Sequence, residues 1–332
     1  NTNIGLAASG TGDISSFIGT NTTSGPITGL ITVTPQITLG GHTCTGTPQT
    51  FNITVNPIPT VQDPANIVLC HNESTSGVNF SGAVSNTTYN WANTTTSINL
   101  GAANSGNITA FVATNPTNTP VTATITVTPV FGSGNGICTG TSETFTITVN
   151  PIPTVNPVSS QSVCVGNLSQ AINFTSTFNV AGTVYEWTNT NTSIGIQASN
   201  TGNISAFNTV NSTNSVQTGN FSVTPKYTNL LEECVGNPVT FSISVIPTPT
   251  VVDPPNLVVC NNASVAAVNF TGAITGTTYS WTNTTPSINL AASSTGNIAS
   301  FNATNISSTP VVAVVQVTPS FTHGTTTCTG NN

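Results

Sequence analysis

Cysteine is the residue type in this sequence most able to do chemistry, because two thiols can form a disulfide. Each stretch of about 95 residues carries two cysteines in different contexts. One precedes a polar turn between the first two strands, and the other opens a loop between the last two strands. The seven cysteines are Cys44, Cys70, Cys138, Cys164, Cys234, Cys260 and Cys328. Their regular placement indicates a structural role that recurs along the chain.

Other residues that support catalysis or metal binding are isolated in the sequence. Three histidines, His42, His71 and His323, have no second histidine at ligand spacing. Asp63 and Asp253 each precede a proline, but the equivalent position of the middle repeat is the uncharged Asn156. Calcium takes six to eight oxygen ligands, so we expect no calcium and no other metal or cofactor. No Gly-x-Ser-x-Gly motif is present, and we expect no catalytic residues.

The elements that position the cysteines repeat along the chain. A block from Tyr89 to Leu100 returns at 185–196 and 279–290, and the end of a fourth copy begins the chain at Ile4. The last step of the block falls at Ile4, Ile98, Ile194 and Ile288, with spacings of 94, 96 and 94 residues. Such a period is the size of one compact domain. We expect the three tryptophans of the block, Trp91, Trp187 and Trp281, to fill the cores of their domains.

Charge is almost absent from the composition. The chain has one lysine, no arginine and eight carboxylates, and 36% of its residues are hydrophobic. It cannot neutralise phosphates, so nucleic acid is excluded as a partner. No apolar run of 18 residues occurs, so we expect no membrane insertion. Apolar residues alternate with Thr and Ser, which indicates folded β structure instead of disorder.

Residues 57–150 illustrate the strand pattern. We predict strands near 61–69, near 77–83, around Trp91, around Ile98 and Leu100, around Ile108 and Phe111, at 121–127 and at 145–149. Seven short strands with no helical period predict an all-β, seven-stranded antiparallel immunoglobulin-like sandwich, repeated in tandem.

Proline-rich segments divide the repeats, because proline cannot donate to a β ladder. Their six prolines are Pro57, Pro59, Pro151, Pro153, Pro247 and Pro249. We therefore predict the C-terminal part of a repeat at 1–56, complete repeats at 57–150 and 151–246, and a repeat without its last strand at 247–332. Residues 1–44 and 285–328 cover nearly the same part of the repeat, so the partial repeats are not two halves of one domain. We expect the chain to be a window on a longer array.

Several motifs resemble one known family over the whole chain. These are Val-Thr-Pro, Cys-Thr-Gly-Thr, Phe-x-Ile-Thr-Val-Asn-Pro-Ile-Pro-Thr-Val and Tyr-x-Trp followed by Asn-Thr-x-x-Ser-Ile. They are similar to the PKD-like, immunoglobulin-like repeats of giant surface adhesins of Bacteroidetes, such as gliding-motility adhesins. The resemblance implies export to the outer cell surface, where disulfides persist.

Two disulfide pairings follow from the repeat. Within a repeat, the pairs would be Cys70–Cys138, Cys164–Cys234 and Cys260–Cys328. However, the first and the sixth strand run in opposite directions, so their cysteines lie at opposite poles, roughly 25 Å apart for strands of about eight residues, beyond the reach of a disulfide. Between successive repeats, Cys70 would pair with Cys234 and Cys164 with Cys328. This second pairing is favoured, and it leaves Cys44, Cys138 and Cys260 for neighbouring units.

These observations predict a structural stalk segment of a long extracellular filament or cell-surface adhesin. Its partners would be neighbouring repeats of the same chain and laterally associated copies. The alternative is a binding module that contacts a glycan or a surface through the loops after the second and sixth strands. A sugar site favours aromatic and carboxylate side chains, and loop 81–88 has only Ser, Gly, Ala, Val, Asn and Thr there.

Overall fold

A computed structural model describes residues 2–132 and 134–330. The described residues form strands, turns and short 3-10 helices. The 3-10 helices are Thr2–Ile4, Thr96–Ile98, Gly134–Gly136, Thr192–Ile194 and Pro286–Ile288. Two compact units are present: the first comprises Asn1–Ile152 with Thr228–Cys234, and the second comprises Pro153–Tyr227 with Val235–Asn332.

Between residues 27 and 150, the structure describes ten strands in three sheets. They are β1 (Ile27–Val33), β2 (Gln36–Leu39), β3 (His42–Thr45), β4 (Gln49–Val55), β5 (Ile67–Cys70), β6 (Thr88–Asn93), β7 (Ala103–Ser105), β8 (Val121–Phe131), β9 (Cys138–Thr139) and β10 (Glu143–Asn150). The main sheet has the order β5-β10-β8-β6-β7, with β9 on β8, while β1 pairs with β4 and β2 with β3. β5 runs parallel to β10, and the other pairs are antiparallel.

The strands from residue 161 onward repeat this plan. They are β11 (Gln161–Cys164), β12 (Val184–Asn189), β13 (Ser199–Thr201), β14 (Gln217–Asn229), β15 (Glu232–Val235), β16 (Val239–Ile246), β17 (Ser264–Val265), β18 (Thr278–Asn283), β19 (Ser293–Thr295), β20 (Phe301–Asn302), β21 (Val315–His323) and β22 (Thr326–Thr329). One sheet has the order β11-β16-β14-β12-β13 with β15 on β14, and another has the order β19-β18-β21-β22. The turn between β14 and β15 belongs to the first unit.

Alternation along β8 explains how a threonine-rich sequence forms a core. Ala123, Ile125 and Val127 are fully buried, whereas the threonines between them point to the other face. Partner strand β10 buries Phe145, Ile147 and Val149 in the same way. Because a strand has a side-chain period of two, one face of each strand enters the core and the other faces out.

Three hydrophobic clusters form the cores. The first extends from Val61 to Val149, the second from Val155 to Val245, and the third includes only four buried residues, Phe270, Trp281, Leu290 and Ile298. Trp91, Trp187 and Trp281 are 6%, 3% and 4% exposed and belong to these three clusters. The predicted all-β, immunoglobulin-like fold is confirmed, with nearly all regular structure in strands.

Several predicted strands differ in detail. Ile98 lies in a 3-10 helix and not in a strand, because Asn99 adopts a left-handed conformation (φ 69°) and donates its N–H to Thr96 O. The first strand is paired only at Ile67–Cys70. The second predicted strand and the strand around Ile108 are reduced to isolated bridges, Ser74–Val112 and Val78–Ile108. Backbone hydrogen bonds still join these segments of the layer opposite the main sheet, from Thr75 N to Phe111 O at 2.9 Å and from Ala113 N to Glu73 O at 2.7 Å.

Asparagine side chains fix the turns that interrupt this second layer. The buried Asn93 amide donates to Leu100 O at 2.9 Å, and its oxygen accepts from Thr95 N at 2.9 Å. Asn283 makes the equivalent bonds to Leu290 O and Thr285 N at 3.0 Å each. A buried amide with both ends satisfied stabilises the turn, which brings the buried Ile98 and Leu100 against the core.

Candidate functional site

The first disulfide lies within the first compact unit and joins Cys70 to Cys234, with Cα atoms 5.5 Å apart. Cys70 ends β5, and Cys234 follows the turn between β14 and β15 and is fully buried. Beside this bond, Asn229 Nδ2 donates to Asn150 Oδ1 at 2.8 Å, and Asn150 Nδ2 donates to Asn229 O at 3.3 Å. We call this group, Cys70, Cys234, Asn150 and Asn229, the first junction.

A second disulfide joins Cys164 to Cys328 within the second unit, with Cα atoms 5.7 Å apart. Thr326 Oγ1 donates to Ser162 O at 3.3 Å beside it. The position equivalent to Asn150 is Ile246, which is fully buried. We call Cys164, Cys328, Thr326 and Ser162 the second junction. Both bonds span 164 residues, so the same geometric relation occurs twice in the chain.

These are the two pairs that strand direction favours in the sequence. The structure does not bring together the within-repeat alternatives, because Cys70 and Cys164 are each bonded elsewhere. Cys44, Cys138 and Cys260 are free thiols; Cys44 and Cys260 are exposed and Cys138 is half-buried. Cys138 Sγ lies 4.0 Å from Asn56 O, and Asn56 Nδ2 donates to Gly136 O at 2.6 Å.

The six linker prolines lie in segments without regular strand structure, and each linker packs against a glycine. Three glycines, Gly140, Gly236 and Gly330, each lie two residues after a cysteine. The backbone N–H of each glycine donates to a proline carbonyl oxygen at 2.9 Å. A Cβ atom on these glycines would overlap the carbonyl oxygens of the linker residues Pro59, Pro153 and Pro249, respectively. Glycine is therefore required here by close backbone approach.

We expect Gly140→Ala to destabilise the first unit by about 1–3 kcal/mol, because its methyl group would displace the Pro59 carbonyl. The measurement is the free energy of unfolding in guanidinium chloride. Gly101→Ala is the matched control: no atom lies within 4 Å of its added Cβ, so we expect a change within about 0.5 kcal/mol. Equal stability of the two variants would contradict the proposed packing of the linker.

One group of potential metal ligands occurs among the described residues. The ligand atoms of Cys70, Glu73 and Glu232 lie within 4.8 Å of one another. Cys70 is bonded to Cys234 and cannot supply a thiolate, and Glu73 Oε2 already accepts from Cys70 N at 2.8 Å. Two carboxylates fall short of a calcium site, and Asp63 and Asp253 are outside this group.

Two of the isolated polar residues in the sequence make side-chain contacts. His71 Nδ1 accepts a hydrogen bond from Asn115 N at 2.8 Å, at the turn after Cys70. The lone lysine, Lys226, forms an ion pair with Glu186 at 2.9 Å across β14 and β12. The Asn150–Asn229 pair was not predicted, because asparagine is frequent in this chain and nothing in the sequence distinguishes these two.

No helix among the described residues has the length and hydropathy needed to cross a membrane. Residues 161–249 match the family model of the PKD-like domain. No curated protein matches the chain.

Some solved structures show distant similarity. The human desmocollin-1 ectodomain is 11% identical over 85% of this chain and 63% of its own length, with a TM-score of 0.31. The protocadherin gammaB7 EC3–6 structure is 13% identical over 86% of this chain and 80% of that one, with a TM-score of 0.34. Sidekick-1 immunoglobulin domains 1–4 are 10% identical over 93% of both chains, with a TM-score of 0.30. The chain is a tandem immunoglobulin-like β protein in which residues 161–249 match a PKD-like domain.

Proposed function

We propose that this chain is a stalk segment of a long extracellular filament or cell-surface adhesin, of the type found in Bacteroidetes gliding adhesins. In this proposal the repeats are 1–56, 57–150, 151–246 and 247–332, and they hold or display a distal tip without catalysing a reaction. The chain would be located on the outer cell surface, with neighbouring repeats as its main partners.

The observation that carries the proposal is the disulfide pattern. Each bond joins a cysteine of one proposed repeat to a cysteine of the next, with the same separation of 164 residues. A disulfide within a domain stabilises that domain, whereas one between successive domains restricts their relative motion and transmits tension between them. Repetition of the same pairing supports a mechanical role for the array.

Two further features support an exposed location. Disulfides persist outside the cytoplasm and are rare inside it. The chain also contains a single Lys and no Arg, which leaves trypsin-like proteases one cleavage site. Both features suit a fibre that stays outside the cell.

Small-angle scattering of the oxidised and reduced chain tests the proposal. We expect the oxidised chain to scatter as an elongated rod, because short proline-rich linkers and the two disulfides both restrict bending. The Cys164→Ser variant should show a broader distribution of distances, while Cys44→Ser, which removes a free thiol, should match the parent. A compact particle would contradict a stalk.

A glycan array tests the alternative function as a binding module. The stalk proposal predicts no reproducible binding by the oxidised chain. Binding that is lost when loop 81–88 is replaced by the equivalent loop of another repeat would favour a carbohydrate-binding role instead.

A further inference from the structure

The three sheets that carry the tryptophans each end at a three-residue strand whose outer side is unpaired. These edge strands are β7, β13 and β19. Each pairs on its inner side with the tryptophan strand, and all of its residues are exposed. Because the same edge occurs in all three sheets, it belongs to the fold of the repeat. An open edge is a template for pairing with another strand.

The ladder between β18 and β19 identifies the backbone groups that point out of the third edge. Just after β19, Gly296 N donates to Tyr279 O at 2.8 Å across this ladder. Hydrogen-bonded and non-hydrogen-bonded positions alternate along an antiparallel strand. Ser294, two residues earlier, therefore turns its backbone N–H and C=O toward β18, whereas Ser293 and Thr295 turn theirs outward.

An asparagine closes this edge in the first two sheets. Asn104 Oδ1 accepts from Ser105 N at 2.8 Å in β7, and Asn200 Oδ1 accepts from Thr201 N at 2.8 Å in β13. Ser105 and Thr201 occupy the position of Thr295. The N–H that would pair with an added strand is therefore already used, because a local side-chain bond competes with a ladder bond.

The third edge lacks this block. Ser294 occupies the asparagine position, and among the described residues no side chain accepts from Thr295 N. The carboxylate of Glu186 flanks the second edge as the ladder partner of Thr201. The equivalent of Glu186 beside the third edge is the uncharged Ser280. A groove of about 280 Å³, lined by residues of β18, β19 and β21, leaves room for the side chains of an added strand.

The chemistry around this edge fits a second copy of the same strand. Residues 247–330 carry one carboxylate, Asp253, and no Lys or Arg, so a charged partner would gain no ion pair there. The segment 291–296 is Ala-Ala-Ser-Ser-Thr-Gly, and its small, uncharged side chains let an identical strand approach to about 4.8 Å without repulsion. A strand that pairs with itself about a two-fold axis needs no second surface.

We propose that β19 pairs with β19 of a second copy, antiparallel and centred on Ser294, so that two chains associate side by side. In this register Ser293 lies opposite Thr295 of the second copy. The two such pairs exchange four backbone hydrogen bonds, and the two sheets become one continuous sheet. This inference goes beyond the proposed function and does not depend on it. It gives the lateral association expected from the sequence a defined site.

The asparagines determine how far this association proceeds. With Asn104 and Asn200 in place, one of the three described edges is open. A single self-complementary edge gives a closed pair of chains, whereas several open edges would give a sheet that grows without limit.

Sedimentation equilibrium of the oxidised chain tests the pairing. The background carries Cys44→Ser, Cys138→Ser and Cys260→Ser, so that free thiols cannot link copies. We expect a reversible dimer at concentrations up to about 1 mM, and Ser294→Asn should weaken it by at least about tenfold, because the added amide accepts from Thr295 N. Ser294→Ala is the matched control: it adds no acceptor, so its Kd should equal that of the parent within a factor of about two.

A monomeric parent over this range, or equal Kd values for the parent and Ser294→Asn, would overturn the proposal. Circular dichroism of Ser294→Asn should match the parent, because asparagine occupies this position in β7 and β13, and this separates lost pairing from misfolding. Asn104→Ser opens β7 and should give species larger than a dimer. A chain that stays dimeric after this change would overturn the assignment of the asparagine as the block.

Ser294→Cys in the same background tests the register. Residues directly opposite at a non-hydrogen-bonded position have Cα atoms about 4.5 Å apart, which is within reach of a disulfide. With glutathione disulfide as oxidant, we expect a Ser294→Cys dimer on non-reducing electrophoresis. Thr295→Cys should crosslink at least about tenfold less, because Thr295 lies opposite Ser293 and not opposite itself. Equal yields would overturn the register, and no crosslink of Ser294→Cys would overturn the pairing.

Discussion

When the oxidised chain is pulled from its two ends, we expect its fully extended length to be roughly 650 Å shorter than that of the reduced chain, at about 3.3–3.6 Å per residue. In the reduced chain, 258 residues separate Cys70 from Cys328. In the oxidised chain, the shortest covalent path runs from Cys70 to Cys234, back along the chain to Cys164, and then to Cys328. That path contains only the 70 residues between Cys164 and Cys234.

This effect is large because the two disulfide loops overlap. Two separate loops would each shorten the path independently, but overlapping loops force tension to pass backwards through the shared residues 164–234. The force is therefore carried by both disulfides and by residues 164–234. Residues 71–163 and 235–327 lie outside this path. They could extend only as far as the path through residues 164–234 allows.

Single cysteine substitutions should give intermediate values of the fully extended length, and these values test whether the two disulfide loops overlap. With Cys70→Ser or Cys164→Ser, one disulfide remains and the path lengthens to 94 residues, about 80 Å more than in the oxidised parent. Cys44→Ser is the control, because Cys44 is a free thiol, and its length should not change. Optical-tweezer measurements of the extended length distinguish these cases. Equal extended lengths for the oxidised and the reduced chain would exclude the two overlapping disulfide loops.

The second large effect is expected for Trp187→Ala, which should destabilise the second core by about 3–5 kcal/mol. Trp187 is 3% exposed, and its ring centroid lies 5.9 Å from that of Phe221. Its removal leaves a cavity that neighbours on β14 and β16 cannot fill without moving backbone. The free energy of unfolding, followed by far-UV circular dichroism in guanidinium chloride, measures the loss.

Two matched variants separate packing from other causes. Trp187 Nε1 has no hydrogen-bond partner among the described residues, so Trp187→Phe loses only volume and should cost clearly less than alanine. Leu168→Ala removes a side chain that is 63% exposed and should change stability by no more than about 0.5 kcal/mol. If Trp187→Ala behaved like Leu168→Ala, tryptophan would not be a core residue.

The sequence alone determined the repeat, the β class and the central strands. Period-two alternation in β8 and β10 predicts which residues are buried, because a strand exposes alternate side chains to opposite faces. The recurrence of the tryptophan block defines the length of the repeat, and this requires no knowledge of the fold. Strand direction also favours one disulfide pairing, since two cysteines at opposite poles of a sandwich cannot bond.

Tertiary structure decided the features that depend on contacts distant in sequence. Ile98 was predicted in a strand from its local pattern, but Asn99 and the buried Asn93 hold it in a 3-10 helix. Among the described residues of the predicted strand near 77–83, only Val78 forms a bridge, and its partner is Ile108. The conformation of these segments depends on which residues make contact across the core, and a local sequence pattern does not predict those contacts.

The two junctions likewise have some features that the sequence predicts and others that only the fold reveals. Cysteine positions are visible in the sequence, whereas the Asn150–Asn229 hydrogen bonds and the approach of Gly140 to Pro59 are visible only in the fold. Asparagine and glycine are frequent throughout the chain, so composition does not distinguish the few that are required. Their importance comes from a partner 79 or more residues away, and only folding brings those partners together.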